Sequence, residues 1–219
     1  MKGKLFVIDG LDGSGKSTQA ELVYKALQEK GIKSRLISFP CYDSQSSALI
    51  KMYLGGEFGS MPEDVNPYAA SSFYAVDRYA SYKTDWGNDY NNGTVIIAAR
   101  YTTSNIIHQT EKLDESLWDE FMNWTQVYEY GQLGLPCPDK VIFLDMPVEI
   151  SQKLLSFRYS GAEEKKDIHE SDVEYLHKCR KVVTHAAKLL GWQLISCSDG
   201  ENPLSVEEIT KKILDAMEI

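Results

Sequence analysis

At 219 residues the chain is long enough for one α/β domain and short for two of ordinary size. Hydrophobic residues make up 43% and charged residues 25%, the balance of a globular protein with its own core rather than of a disordered or fibrous chain. A net charge of −9 argues against a nucleic-acid surface, since a polyanion would be repelled, yet a small anion needs only a local cluster of donors.

Residues 4–9 are a short apolar, β-rich run that reads as a buried strand. The motif Gly10-Leu11-Asp12-Gly13-Ser14-Gly15-Lys16-Ser17-Thr18 follows at once and matches G-x-x-x-x-G-K-[ST]. Residues 16–30 then read as a helix that stops at Gly31. Strand, glycine-rich loop and helix in this order form a phosphate cradle. The glycines let successive N–H groups turn toward phosphate oxygens, and the helix N-terminus adds partial positive charge. Gly10, Asp12, Gly13, Ser14, Gly15, Lys16, Ser17 and Thr18 are thus expected around ATP. Lys16 would reach the β/γ-phosphates and Ser17 would ligate Mg²⁺.

Further strands are expected at residues 34–39, 94–99, 140–145 and 193–197, with helices at 66–86, 117–131, 148–157, 171–190 and 206–217. Continuous apolar strands alternating with helices indicate a parallel sheet covered on both faces. A polar, Gly-containing break at residues 159–167 lies between two helices. It reads as a solvated loop or, in a phosphoryl-transfer enzyme, as part of a lid over residues 158–170. The whole chain reads as one domain, 1–219. Cys41, Cys137, Cys179 and Cys197 are scattered without a C-x-x-C pair, as expected of reduced thiols rather than a zinc site or disulfide framework. No apolar stretch approaches membrane-spanning length, and the first strand begins too early for a signal peptide, so a cytoplasmic protein is expected.

Ligands of open parallel sheets bind beyond the carboxyl ends of the strands. The residues that follow each strand there are the phosphate loop, then Phe39-Pro40-Cys41-Tyr42, then Arg100-Tyr101-Thr102-Thr103-Ser104-Asn105. An Arg beside a phosphate loop is a natural clamp for a second phosphate.

Residues 6–18, the Phe39-Pro40 pair, Phe73-Tyr74-Ala75-Val76-Asp77-Arg78, and the run from Arg100-Tyr101 to His108-Gln109 together resemble the thymidylate kinases. The resemblance spans essentially the whole chain. It implies a three-layer P-loop kinase fold with a five-stranded parallel sheet, ATP-dependent phosphorylation of dTMP to dTDP, Mg²⁺ as cofactor, and a homodimer assembled by helix packing. It implies ATP and a nucleoside monophosphate as partners, with neither nucleic acid nor membrane. Lys16, Arg100 and the lid-side Arg158 would carry catalysis. The resemblance places Asp12 on the acceptor 3′-hydroxyl, Asp9 with Ser17 near the metal, and Arg100 on the acceptor phosphate. It also lines the acceptor site with Phe39, Tyr101, Asn105 near the base and His108 near the sugar C2′. A base-stacking aromatic is expected four residues before Arg78, which selects Tyr74 and leaves neighbouring Phe73 as the alternative. Three places depart from the family pattern: Ala99 stands where an Asp usually precedes Arg-Tyr, Cys41 and Tyr42 where an Arg usually follows Phe-Pro, and Asp167-Ile168-His169-Glu170 where the lid usually carries Arg-x-Glu. The altered Phe-Pro loop motivates one alternative, a kinase for another nucleotide or nucleoside. Ala99 with the altered lid motivates a second, a nucleotide-binding protein with attenuated catalysis.

Overall fold

The computed structural model describes residues 1–59, 61–159 and 173–219. Five parallel strands form one sheet: β1 (Leu5–Gly10), β2 (Ser34–Ser38), β3 (Val95–Ala99), β4 (Lys140–Asp145) and β5 (Gln193–Ser196). Their order across the sheet is β2-β3-β1-β4-β5, so β1 lies at the centre with every residue buried. Strand alternation sends its side chains to opposite faces. Phe6 and Ile8 pack against Val23 and Leu27 of α1 (Lys16–Glu29) and Ile213 of α9 (Val206–Met217), while Leu5 and Val7 pack on the other face with Trp86 and Tyr101. Covering both faces is why these strands read as unbroken apolar runs.

The chain between the strands is helical: α2 (Ala48–Leu54), α3 (Pro67–Ser81), α4 (Gly87–Asn91), α5 (Thr102–Thr110), α6 (Trp118–Gln126), α7 (Val148–Tyr159) and α8 (Val173–Leu190). The helix expected over 66–86 continues from α3 through a π-helical stretch, Tyr82–Trp86, into α4. The one expected over 117–131 is α6 extended by a second π-helical stretch, Val127–Gln132. Two helices, α2 and α5, have no counterpart in the sequence reading. The first turn of α5 is Thr102-Thr103-Ser104, a poor helix former on its own. It is fixed from outside, because the Thr103 and Ser104 hydroxyls both donate to Asp9 Oδ2, at 2.5 and 2.8 Å. Most of the expected lid lies outside the described residues.

The register pairs Ile8 with Ala99, which brings the carboxyl ends of β1 and β3 side by side. The phosphate loop and Arg100 therefore emerge as neighbours. Cα–Cβ direction at Ala99 follows from the same alternation: its methyl is buried in the core cluster with Ile8 and Ala20, facing α1.

Candidate active site

The phosphate loop turns on two left-handed glycines, Gly13 (φ 79°) and Gly15 (φ 81°), a conformation that costs other residues about 1 kcal/mol or more. At Gly13 a side chain would also strike α7, since an added Cβ would lie 2.8 Å from the Ser151 carbonyl. Gly15 begins α1 without any side-chain cap. The first amides of a helix have no acceptor one turn back, so those at Lys16, Ser17 and Thr18 are the donors this helix start can offer to an anion. Gly13, Gly15, Lys16, Ser17 and Thr18 line a cavity of about 420 Å³, closed on one side by Leu154 and Leu155 of α7. Gly10 and Ser14 stand behind it, the Ser14 side chain 2% exposed and packed toward Gly10.

A second cavity, of about 410 Å³, opens beyond the carboxyl ends of β2 and β3. It brings together all eight residues expected on the acceptor side: Asp12, Phe39, Tyr74, Arg78, Arg100, Tyr101, Asn105 and His108. Tyr74 and not Phe73 faces this space. Phe73 packs instead on Phe58, with ring centroids 5.5 Å apart. Tyr101 is fully buried, its hydroxyl donating to the Pro136 carbonyl at 3.1 Å.

Asp12 lines both cavities. A single oxygen, Oδ1, accepts from Lys16 Nζ at 2.9 Å and from Arg100 Nη2 at 2.8 Å. Burial pushes the Asp12 carboxyl up, but the Lys16 and Arg100 charges outweigh it and hold the group well below the usual carboxylate range. Burial lowers the pKa of Lys16, as does Arg100 nearby, while Asp12 and Asp9 oppose the shift. Arg100 itself adopts φ 65°, a left-handed conformation rare for a non-glycine residue and of the kind that concentrates at functional sites. That backbone turn aims its guanidinium at the loop.

Asp9 ends β1 with both carboxylate oxygens engaged. Oδ1 accepts from the Gly10 amide at 2.8 Å, and Oδ2 takes the two α5 hydroxyls. Among the described residues no group of three or more His, Cys, Asp or Glu side chains is arranged to hold a cation. A magnesium ion on a nucleotide does not need such a cage, because it keeps waters and phosphate oxygens as most of its ligands. The exposed Ser17 hydroxyl in the loop cavity is a donor that fits, and Asp9 stands one layer behind. Arg158 belongs to the last turn of α7, and its side chain lies outside the described residues.

His108 Nδ1 lies 2.7 Å from the Tyr175 hydroxyl of α8, the two rings stacked at 14°, and Nε2 lies 3.4 Å from Arg100 Nη1. A guanidinium can only donate, so Nε2 accepts and Nδ1 carries the proton toward Tyr175. Burial, then the Arg100 charge, lowers the His108 pKa to about 4, which keeps the ring neutral at pH 7. An unfolded histidine takes up its proton near pH 6.5, whereas the folded one does so only near 4. This contribution to stability is complete above pH 6.5 and is lost as the pH falls from there to about 4. His108 lines the cavity and is only partly shielded from solvent, so the expected loss is on the order of 2 kcal/mol. Urea melts at pH 7, 5.5 and 4.5 should show it, and His108→Gln should flatten the curve over that window. An unchanged pH slope in the variant would overturn the assignment.

Several residues of the second cavity were missed in the sequence. Gln109 is 4% exposed with Oε1 unpartnered, Lys112 Nζ donates to the Tyr53 hydroxyl at 2.8 Å, and Tyr175 reaches in from a distant helix. The pattern marked Gln109 only as the end of a motif, and nothing local ties Tyr53 or Tyr175 to the site.

Comparisons with known proteins agree with this geometry. The thymidylate kinase family model matches residues 8–213. A thymidylate kinase of Mycobacterium tuberculosis is 30% identical over 196 residues, covering 86% of this chain and 87% of its own. The human thymidylate kinase is 24% identical over 197 residues, covering 90% and 84%. In fold the chain is similar to the solved thymidylate kinase of Candida albicans, with a TM-score of 0.71 at 21% identity, covering 99% of this chain and 92% of the other. With a phosphate loop, a neighbouring nucleotide-sized cavity and a family match over nearly its whole length, the chain belongs to the thymidylate kinase family.

Proposed function

We propose that this protein transfers the γ-phosphoryl group of ATP to dTMP, giving dTDP. The observation that carries the reading is the junction of two cavities at Asp12, with Lys16 on one side and Arg100 on the other. ATP in the loop cavity directs its terminal phosphate toward the Arg100 side. A monophosphate in the second cavity, held by Arg100, then lies in line with it. Phosphoryl transfer asks little covalent chemistry of a protein, and its rate comes from positioning and from neutralising charge. No general base is needed, because the attacking phosphate oxygen is already ionised near neutral pH. Mg²⁺, bound through the nucleotide phosphates and Ser17, would supply further charge neutralisation. Lys16 must leave Asp12 to reach the phosphates, and Arg100 must turn from Asp12 to the acceptor. The freed carboxylate then accepts from the acceptor 3′-hydroxyl.

The base end supports a thymine. Tyr74 and Phe39 offer apolar faces, and Arg78 and Asn105 sit at the edge. A thymine presents a carbonyl at C4 and an N–H at N3, which call for a donor and an acceptor in turn.

We read the assembly as a cytoplasmic homodimer. Among the described residues no helix is long and apolar enough to cross a membrane. Helices α3 and α6 meet at Tyr68, 4.7 Å from Trp124 between ring centroids; α3 exposes Val76 and Tyr79, and the π-helical stretch after α6 exposes Val127. Large apolar side chains left exposed on these elements are the surface this reading assigns to the partner subunit. Sedimentation velocity at micromolar concentration is expected to give one species of twice the chain mass, and a monomer would overturn the dimer.

Initial rates of ADP release with Mg·ATP and a panel of dTMP, dUMP, dCMP, dGMP and thymidine test the activity. Preference for dTMP is expected. A faster reaction with thymidine, or no stimulation by any acceptor, would overturn the assignment.

A further inference from the structure

Glu129 lies in the π-helical stretch that extends α6, fully buried and outside the cavity lining. Its two oxygens accept from Arg78 Nε and Nη2, each at 2.6 Å, a bidentate pair between side chains only 2% and 1% exposed. Burial alone would lower the Arg78 pKa, and Glu129 overrides it and keeps the guanidinium charged. Glu129 Oε1 also accepts from Asn105 Nδ2 at 3.1 Å. The second N–H of that amide goes to the Ser71 carbonyl at 3.0 Å. Both partners of Nδ2 only accept, so the orientation of the Asn105 amide is forced. Its nitrogen points into the protein, and its carbonyl oxygen is the atom left for the cavity. Arg78, clamped along one edge, keeps Nη1 beside the Tyr101 carbonyl at 3.3 Å. Arg78 can show the cavity nothing but N–H groups.

We infer that Glu129 is a positioning residue that sets the donor–acceptor polarity of the base-reading edge, and through it the preference for 4-oxo over 4-amino pyrimidines. The inference rests on the kinase reading above. One carboxylate holds a donor (Arg78) and an acceptor (Asn105 Oδ1) next to each other. A ring with a carbonyl beside an N–H, as in thymine or uracil, complements that order. Cytosine has an amino group beside an unprotonated ring nitrogen and meets a donor with a donor and an acceptor with an acceptor. The pairing also cancels the Arg78 charge from behind, so the edge reads a neutral base by hydrogen-bond direction.

In Glu129→Gln the group facing Asn105 gains an N–H, and the Asn105 amide is free to turn over. The expected result is a fall of about 30-fold in the ratio of kcat/KM for dTMP to that for dCMP, carried by KM for the nucleotide, with KM for ATP within about threefold of the parent. Glu129→Asp keeps a carboxylate that can only accept, and should hold the ratio within about threefold of the parent. An unchanged ratio in Glu129→Gln, or an equal loss in Glu129→Asp, would overturn the inference. A parent that phosphorylates both nucleotides without preference would also overturn the inference, whereas a parent that phosphorylates neither would overturn the kinase reading instead. Should Glu129→Gln fail to fold around the unpaired Arg78, the parent decides the matter. In asparagine-labelled protein the Asn105 side-chain N–H signals are expected to exchange slowly with solvent and to shift little when dTMP binds. Rapid exchange in the free protein, or a large shift on binding, would show that Nδ2 faces the base and would sink the proposal.

Discussion

Lys16→Ala is expected to lower kcat for dTMP phosphorylation by about 10³-fold while leaving the fold in place. Lys16 is 9% exposed, yet its ammonium makes no contact that the core needs. It donates to Asp12 at 2.9 Å and lies 3.5 Å from the Leu11 carbonyl, both within the loop. Removing it leaves Asp12 paired to Arg100 at 2.8 Å, so no buried carboxylate is stranded. The loss falls on charge neutralisation at the transferring group, where single preorganised donors are worth about 10²–10³ and charged ones more. A coupled ADP-release assay and a thermal melt check both halves of the expectation. Activity within tenfold of the parent, at equal stability, would remove Lys16 from the mechanism.

Arg100→Ala should act on the other substrate. A fall of about 10²–10³ in kcat/KM for dTMP is expected, with KM for ATP changed by less than about threefold, because Arg100 lines the acceptor cavity and not the loop cavity. Arg100→Lys should recover little. A lysine lacks the planar fork that spans Asp12 and a phosphate, and it cannot reproduce the approach to His108 Nε2 at 3.4 Å. Equal damage to both Michaelis constants would assign Arg100 to the scaffold. The absence of the family's Arg at Cys41 sharpens this test. The Cys41 amide instead donates to Asp77 at 2.8 Å, so this loop is tied to α3 through its backbone and brings no second guanidinium.

The sheet and phosphate loop were legible because their signals are local. Five apolar runs gave five strands, and one motif placed a strand, a loop and a helix in order. The second cavity was legible through the family pattern, which drew residues from β2, α3 and α5 before any of these could be placed in space. Helix α5 escaped because its helicity is imposed by Asp9 and by burial on nearly all sides, against the preference of Thr102-Thr103-Ser104. Glu129 escaped for a different reason, although its signal was present. Phe121, Thr125 and Glu129 recur every four residues on the inward face of the helix read over 117–131, and all are buried. A carboxylate in an apolar stripe calls for a buried cation, and Arg78 was the candidate. Of the departures from the family, Cys41 and Ala99 carry no replacement charge, and the altered lid at residues 167–170 lies outside the described residues. Ala99 lies in the core beneath α1, where an added carboxylate would have to be desolvated.

Asp12 also sets the terms for any single molecule designed to fill both cavities. Its linker has to cross the loop beside a carboxylate that already holds two cations through one oxygen. A phosphate at that crossing takes up Lys16 and Arg100 once both turn from Asp12, as the transferring group does. An N–H or O–H on the linker can then be accepted by the freed carboxylate. Bisubstrate chemistry against this protein therefore favours an anionic centre for the two cations, with a donor beside it for Asp12.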